Sequence, residues 1–266
     1  MTSPLAVDVT AWTGAYPFRA LPHPEPDVLM GVLEREGFGG AWVGSLPGAF
    51  HRDPLPSNRQ LFKDLSQFRN VLQPTPIVRP DWPEWERQLA MAVNEGAPAI
   101  RVYPAQWGYA SGHPALTELA IACGEAGLAL HCTVRFEDLR QRHSMDVAGD
   151  VGAAAIRAMA RAAGSKCRLV VAGAGKELIE EIHWGLTPEE QRRVWYDFHW
   201  VWGPPEDQFA HLVRTLGTQR LARATWWPLR LAQQSRALID LLGDEFDAHA
   251  RVTDFADGRT ILDHTL

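Results

Sequence analysis

Cysteine is scarce: Cys123, Cys132 and Cys167 are the only three in 266 residues, each in apolar surroundings. An odd, thinly spread set of this kind suits free thiols in a reducing cytoplasm, not a disulfide framework. There is no excess of positive charge. The 26 Lys and Arg stand against 32 Asp and Glu, a formal net charge of -6, which gives no electrostatic basis for binding nucleic acid or an anionic membrane. No apolar run approaches the roughly 20 residues that cross a bilayer, and the start, MTSPLAVDVT, lacks the basic-then-apolar pattern of a signal peptide. Also missing are a Gly-rich dinucleotide turn after the first strand-like segment and a Gly-x-Ser-x-Gly nucleophile elbow. No repeat, linker or low-complexity stretch divides the chain, so residues 1–266 are expected to form a single domain.

What is present is an even alternation of strand-like and helix-like segments. Strands are predicted at Leu5–Thr10, Gly40–Gly44, Val71–Val78, Ala99–Tyr103, Leu128–Thr133, Arg168–Ala172, Val194–Phe198 and Leu221–Trp226. Helices are expected between and after them, at Pro26–Glu36, Asn58–Phe68, from Asp81 onward, Pro114–Glu125, Val151–Ala163, Lys176–Trp184, Asp207–Leu216 and Leu229–Leu242. Several carry one apolar stripe, such as Trp85, Leu89, Ala92 and Val93. Pro26 suits a first helical turn, and Gly37 and Gly127 suit helix ends. Strands separated by helices pair in parallel, and eight such units close most economically as an α/β (β/α)8 TIM barrel. The tail from His249 to Leu266, with Asp257-Gly258 as a turn, is expected to form a hairpin or a packing strand.

In a barrel of this kind chemistry sits at the C-terminal strand ends. The richest of these is HCTVRFEDLRQRH, residues 131–143, where an apolar run breaks into ionisable groups. The other ends contribute Asp8, Thr10 and Trp12 with Arg19 beyond; Arg101 and Tyr103; Asp197, His199 and Trp200; Thr225 and Trp226. Several arginines facing one cavity suit a carboxylate or phosphate ligand, because a guanidinium grips planar anions with two donors at once. Tryptophans suit a flat ligand, or they simply fill the mouth. His131 and Cys132 are strand neighbours facing opposite sides, so they do not form a Cys–His pair.

Four stretches carry a resemblance: VDVTAWTGAYPFR, AIRVYP, LALHCTV and ATWWPLRL. Together they resemble the amidohydrolase superfamily, in particular its amidohydrolase-related barrel hydrolases and decarboxylases, over nearly the whole chain. The run VRFEDLRQRH also resembles a set of uncharacterised amidohydrolase-related proteins. The family pattern is a His-x-His pair after strand one, a His at strand five, a His at strand six and an Asp at strand eight. That set holds one or two divalent metals, with the Asp as base toward metal-bound water. Carried onto this sequence, the pair falls on Thr10 and Trp12, the strand-six position on Ala172 or Ala174, and the strand-eight position on Trp226. Only His131 is kept, and a catalytic zinc takes about three protein ligands. No metal or other cofactor is therefore expected, unless Asp8, His199 and Glu137 rebuild a site.

Two readings follow. In the first, the chain is a metal-independent hydrolase or lyase. His131 is its acid/base, oriented by Asp138 or Glu137, and the ligand set is Arg19, Arg101, Tyr103, Arg135, His199, Trp12 and Trp226 around a small anionic substrate. In the second, Trp12 and Trp226 plug a former metal bay, and the barrel binds a small acid or a protein partner without turnover. An open cavity beside His131 would favour the first, a filled one the second. Oligomeric state is left open.

Overall fold

The computed structural model describes residues 5–109, 112–162, 166–202, 207–242, 246 and 255–264. Its strands are β1 (Ala6–Thr13), β2 (Phe38–Ser45), β3 (Leu72–Pro74), β4 (Ala99–Val102), β5 (Ala129–Thr133), β6 (Arg168–Ala172), β7 (Val194–Asp197) and β8 (Leu221–Ala222). Neighbours pair in parallel as β1-β2-β3 and as β4-β5-β6-β7-β8. Two seams join these sheets into a closed barrel. At one, Arg101 N–H donates to Pro76 O at 2.8 Å beside an isolated Ile77–Arg101 bridge. At the other, Val9 N–H donates to Arg223 O, Trp226 N–H to Thr10 O and Trp12 N–H to Trp227 O. The expected α/β barrel is the observed fold.

The helices of the outer ring are α1 (Pro26–Arg35), α2 (Leu55–Asp64), α3 (Trp85–Asn94), α4 (Pro114–Ala126), α5 (Ala153–Ala162), α6 (Lys176–Trp184), the short α7 (Pro188–Gln191), α8 (Gln208–Leu216) and α9 (Gln234–Asp240). None of the described helices is long and apolar enough to cross a membrane. Strand alternation separates two layers, because successive side chains point to opposite faces. Leu130 and Cys132 face the helices, together with Cys123 and Cys167, and all three thiols are free and buried. Ala129, Val170, Ala172 and Trp195 face the barrel interior.

Several boundaries differ from expectation. The third strand is short because Pro74 and Pro76 lack the N–H a longer ladder needs. The eighth ends at Ala222, beyond which the backbone bonds to β1 instead and Trp226 takes a left-handed φ of 55°. The last outer helix starts at Gln234 rather than Leu229. Of the tail expected as a hairpin or packing strand, residues 249–254 and 265–266 lie outside those described, and the described residues 255–264 form a single bridge and a helix. Ala256 bridges Ala222, and Asp257 then caps a short helix, α10 (Gly258–Asp263), by accepting from Arg259 N–H and Thr260 N–H.

Candidate functional site

The inner half of the site is a polar network at the strand ends. Thr10 Oγ1 donates to Asp197 Oδ2 at 2.9 Å and lies 2.9 Å from His131 Nε2. A hydroxyl has one proton, and Asp197 receives it, so His131 must donate through Nε2–H. Trp226 Nε1–H also donates to Asp197 Oδ2, at 2.7 Å. Asp8 accepts from Thr10 N–H at 2.7 Å and from Thr225 Oγ1 at 2.5 Å. All of these groups are fully buried. Burial raises the Asp197 carboxyl to about 7 against the bonds from Trp226 and Thr10, and it raises Asp8 to about 6. Burial also holds the His131 imidazole well below its ordinary range, helped by Arg101. His199 is lowered to about 3 by burial; its Nδ1 lies 3.3 Å from Ala224 O.

Above this network the barrel is filled with aromatic rings. Trp12 meets Trp226 edge-on at 4.9 Å and Phe136 at 5.8 Å, while Tyr103 stacks on Phe136 at 5.1 Å. Trp12 Nε1–H donates to Tyr103 OH at 3.1 Å. His131, Trp12 and Trp226 are 0% exposed and Tyr103 and Phe136 1%, which leaves no water-sized space at their surfaces. Swinging one such indole into water exposes on the order of 200 Å² and costs about 5 kcal/mol, so open forms are rare at roughly one molecule in several thousand.

Arg101 is no clamp for an external ligand. Its guanidinium is fully buried, donating to Thr75 Oγ1 at 2.7 Å, Trp42 O at 2.9 Å and Ala11 O at 3.2 Å, with its charge 5.0 Å from the Trp12 ring centre. Glu137 and Asp138 do not orient His131, whose partner is Thr10. Asp138 instead accepts from Arg140 N–H and Nε–H, both at 2.9 Å, and those bonds hold its carboxyl below the usual range.

The outer half of the site is an arginine cluster around Glu137. Arg19 Nε–H donates to Glu137 Oε1 at 3.1 Å, and Arg230 Nη2–H donates to Glu137 Oε2 at 2.9 Å. Arg142 donates to Glu137 O at 3.1 Å and pairs with Asp150 at 2.7 Å. Arg135 pairs with the same Asp150 at 3.3 Å. Arg135 and Arg230 both lie over the Trp200 ring, 5.6 and 4.3 Å from its centre. Arg19 is 41% exposed and borders an open cleft of about 450 Å³ lined by Tyr16, Phe18, Leu21 and Pro24. The structure thus separates the candidates into a sealed interior with His131, Trp12, Trp226, Tyr103, Arg101 and His199, and a mouth where Arg19 is exposed, Arg135 half-buried and Glu137 buried beneath its arginines. Sequence reasoning placed Thr10 and Asp197 at strand ends but did not link Thr10 to His131 or Asp197 to Thr10, and it did not single out Arg230 as a mouth residue, which nothing local marks.

No family model matches the sequence, and no curated protein matches it. Solved structures do match the fold. A 2,6-dihydroxybenzoate decarboxylase from Rhizobium superimposes with a TM-score of 0.68 at 10% identity, covering 97% of this chain and 98% of that one. A candidate 2-pyrone-4,6-dicarboxylic acid hydrolase from Pseudomonas putida gives 0.64 at 18% identity, covering 97% of each chain. A 5-carboxyvanillate decarboxylase from Novosphingobium aromaticivorans, solved with manganese and 3-methoxy-4-hydroxy-5-nitrobenzoic acid, gives 0.67 at 12% identity and 96% of each. The chain therefore shares the barrel fold of these enzymes.

A divalent metal at the centre is implied by that fold, and the residues here do not fit one. Among the described residues no three His, Cys, Asp or Glu side chains converge as ligands. His131 Nε2, the nitrogen that faces the interior network, is spent on Thr10, and two indoles occupy the neighbouring volume.

Proposed function

We propose that this protein binds a small carboxylate at the mouth of its barrel, on Arg19 and Arg230, above a former reaction chamber that is closed and catalytically silent. The ligand's apolar part would lie against Tyr16, which lines the cleft and packs on the neighbouring Phe136 ring. The observation that carries this reading is the division of the site: the acid–base groups are fully buried under packed rings, whereas an arginine pair already holds a carboxylate above them, and one of the pair, Arg19, borders an open cleft. With three buried free thiols, the expected setting is the cytoplasm.

Calorimetric titration with benzoate and 3-phenylpropionate, alongside metal analysis of protein purified without added metal or chelator, tests the reading. Expected are saturable carboxylate binding that falls at least tenfold in Arg230→Ala, metal far below one equivalent, and a melting temperature indifferent to chelator. Stoichiometric metal would overturn the closed-chamber half, and undiminished binding in Arg230→Ala the carboxylate site.

One observation favours a second reading, a metal-independent hydrolase or lyase. The Asp197 carboxyl, raised to about 7 and linked through Thr10 to a neutral His131, is poised for proton transfer near neutral pH. Turnover of an aromatic carboxylate or lactone that disappears in His131→Ala would decide for it. Binding without turnover would decide for the first.

A further inference from the structure

We infer that Glu137 is a built-in occupant of the Arg19–Arg230 carboxylate site, and that an incoming aryl carboxylate binds by displacing it together with the neighbouring Phe136 ring. The inference rests on the carboxylate-binding reading above. Glu137 comes from the segment after β5, whereas its two partners come from the far ends of the chain, after β1 and after β8. Each carboxylate oxygen takes a guanidinium N–H from a different arginine, which is how a bound carboxylate ligand would be held. Only 5% of Glu137 is exposed, although it lies on a loop, where a carboxylate ordinarily faces water.

The residue before it completes the resemblance to a ligand. Phe136 places its ring among Trp12, Tyr103, Tyr16 and Phe50, with ring centres 5.1–6.1 Å away. Ring and carboxylate on adjacent residues present the barrel mouth with the two parts of an aryl carboxylic acid. Beyond Glu137 the loop meets the body through polar and ring contacts: Arg230 Nη1–H donates to Gln141 Oε1 at 3.0 Å, and the His143 ring stacks on Phe18 at 5.8 Å. Leu139, Met145 and Val147 are 77%, 75% and 91% exposed, so no apolar anchor follows Phe136 until the loop turns back at Val151. Exchange would also be balanced in charge. One carboxylate enters the arginine pair, and one leaves for water, so neither guanidinium is left alone. The tethered occupant competes at the high effective concentration of an intramolecular group, so the site in the native chain is weakened toward free acids.

The test uses the full-length protein with benzoate and 3-phenylpropionate. Glu137→Gln keeps the shape and removes the charge; it should bind both acids about tenfold or more tighter than the parent. In the parent itself, saturation with either acid should speed amide hydrogen exchange across residues 136–142, the reverse of the protection a ligand usually brings. This second readout needs no variant and so survives a Glu137→Gln protein that folds poorly. Equal or weaker binding by Glu137→Gln, or protection of residues 136–142 on saturation, overturns the inference and leaves the carboxylate site standing. Absence of binding in both proteins removes the underlying reading, and the inference with it.

Discussion

At the scale of single residues, the interior depends on which groups stay uncharged. An unfolded aspartate loses its proton near 3.8, whereas Asp197 in the fold keeps it to about 7. Between those values the folded state holds one more proton than the unfolded state, so this residue's contribution to stability falls as pH rises through the window and is level above it. His131 and His199, lowered in the fold, act with the opposite sign below 6.5 and mask the slope in the parent protein. The measurement is therefore a difference. Asp197→Asn keeps an acceptor for Thr10 and Trp226, and denaturant melts should show it gaining on the parent by up to about 4 kcal/mol between pH 4 and 7, with no further gain above. A pH-independent difference would mean that Asp197 ionises normally. This network also marks a limit of reading residues in sequence. His131 was legible as a special group because an apolar run ends on it. Its partner was sought in Glu137 and Asp138 next to it, but neighbours beyond a strand end answer to the loop, and both are held by arginines. The true partner, Thr10, sits 121 residues away and carries no charge to advertise it.

At the scale of elements, the turn from β6 into α6 shows how tightly the mouth is built. Gly173 has a φ of 84°, and a Cβ there would stand 2.9 Å from Arg135 O and 3.0 Å from the Trp226 ring. Gly173→Ala therefore strains the backbone and pushes on both the plug and the loop after β5. It should cost about 1–3 kcal/mol in a chemical melt, and a change below about 0.5 kcal/mol would mean the turn relaxes freely. Helices and central strands were readable because their apolar spacing is set by the same burial that forms them. β3 and β8 were overread, for a different reason in each. Prolines deny β3 its donors, and the segment after Ala222 leaves its ladder to bond with β1 across a seam that no local pattern announces.

At the scale of the whole molecule, the barrel is completed by its tail. Ala256 N–H donates to Leu221 O and Arg223 N–H to Ala256 O, both at 3.0 Å, beside the seam between β8 and β1. Phe255 packs on Phe198 and Phe209 at 5.2 and 5.7 Å, and Ile261 is fully buried. Phe255→Ala should cost about 3–5 kcal/mol, and removal of residues 255–266 should abolish a cooperative unfolding transition; a truncated chain that still melts sharply would show the tail to be dispensable. The other seam has its own fastening in Arg101, whose side chain crosses from β4 to the carbonyls of β1 and β2. It passes over Gly44, where a Cβ would lie 2.8 Å from Arg101 Cδ and Nε. The bare backbone at 44 and the cation at 101 thus occupy one space between them. Over evolutionary time position 44 is therefore not free alone: a side chain should arise there only in a lineage that has already given up the arginine, whereas the arginine can be lost first, so the order of the two changes is fixed.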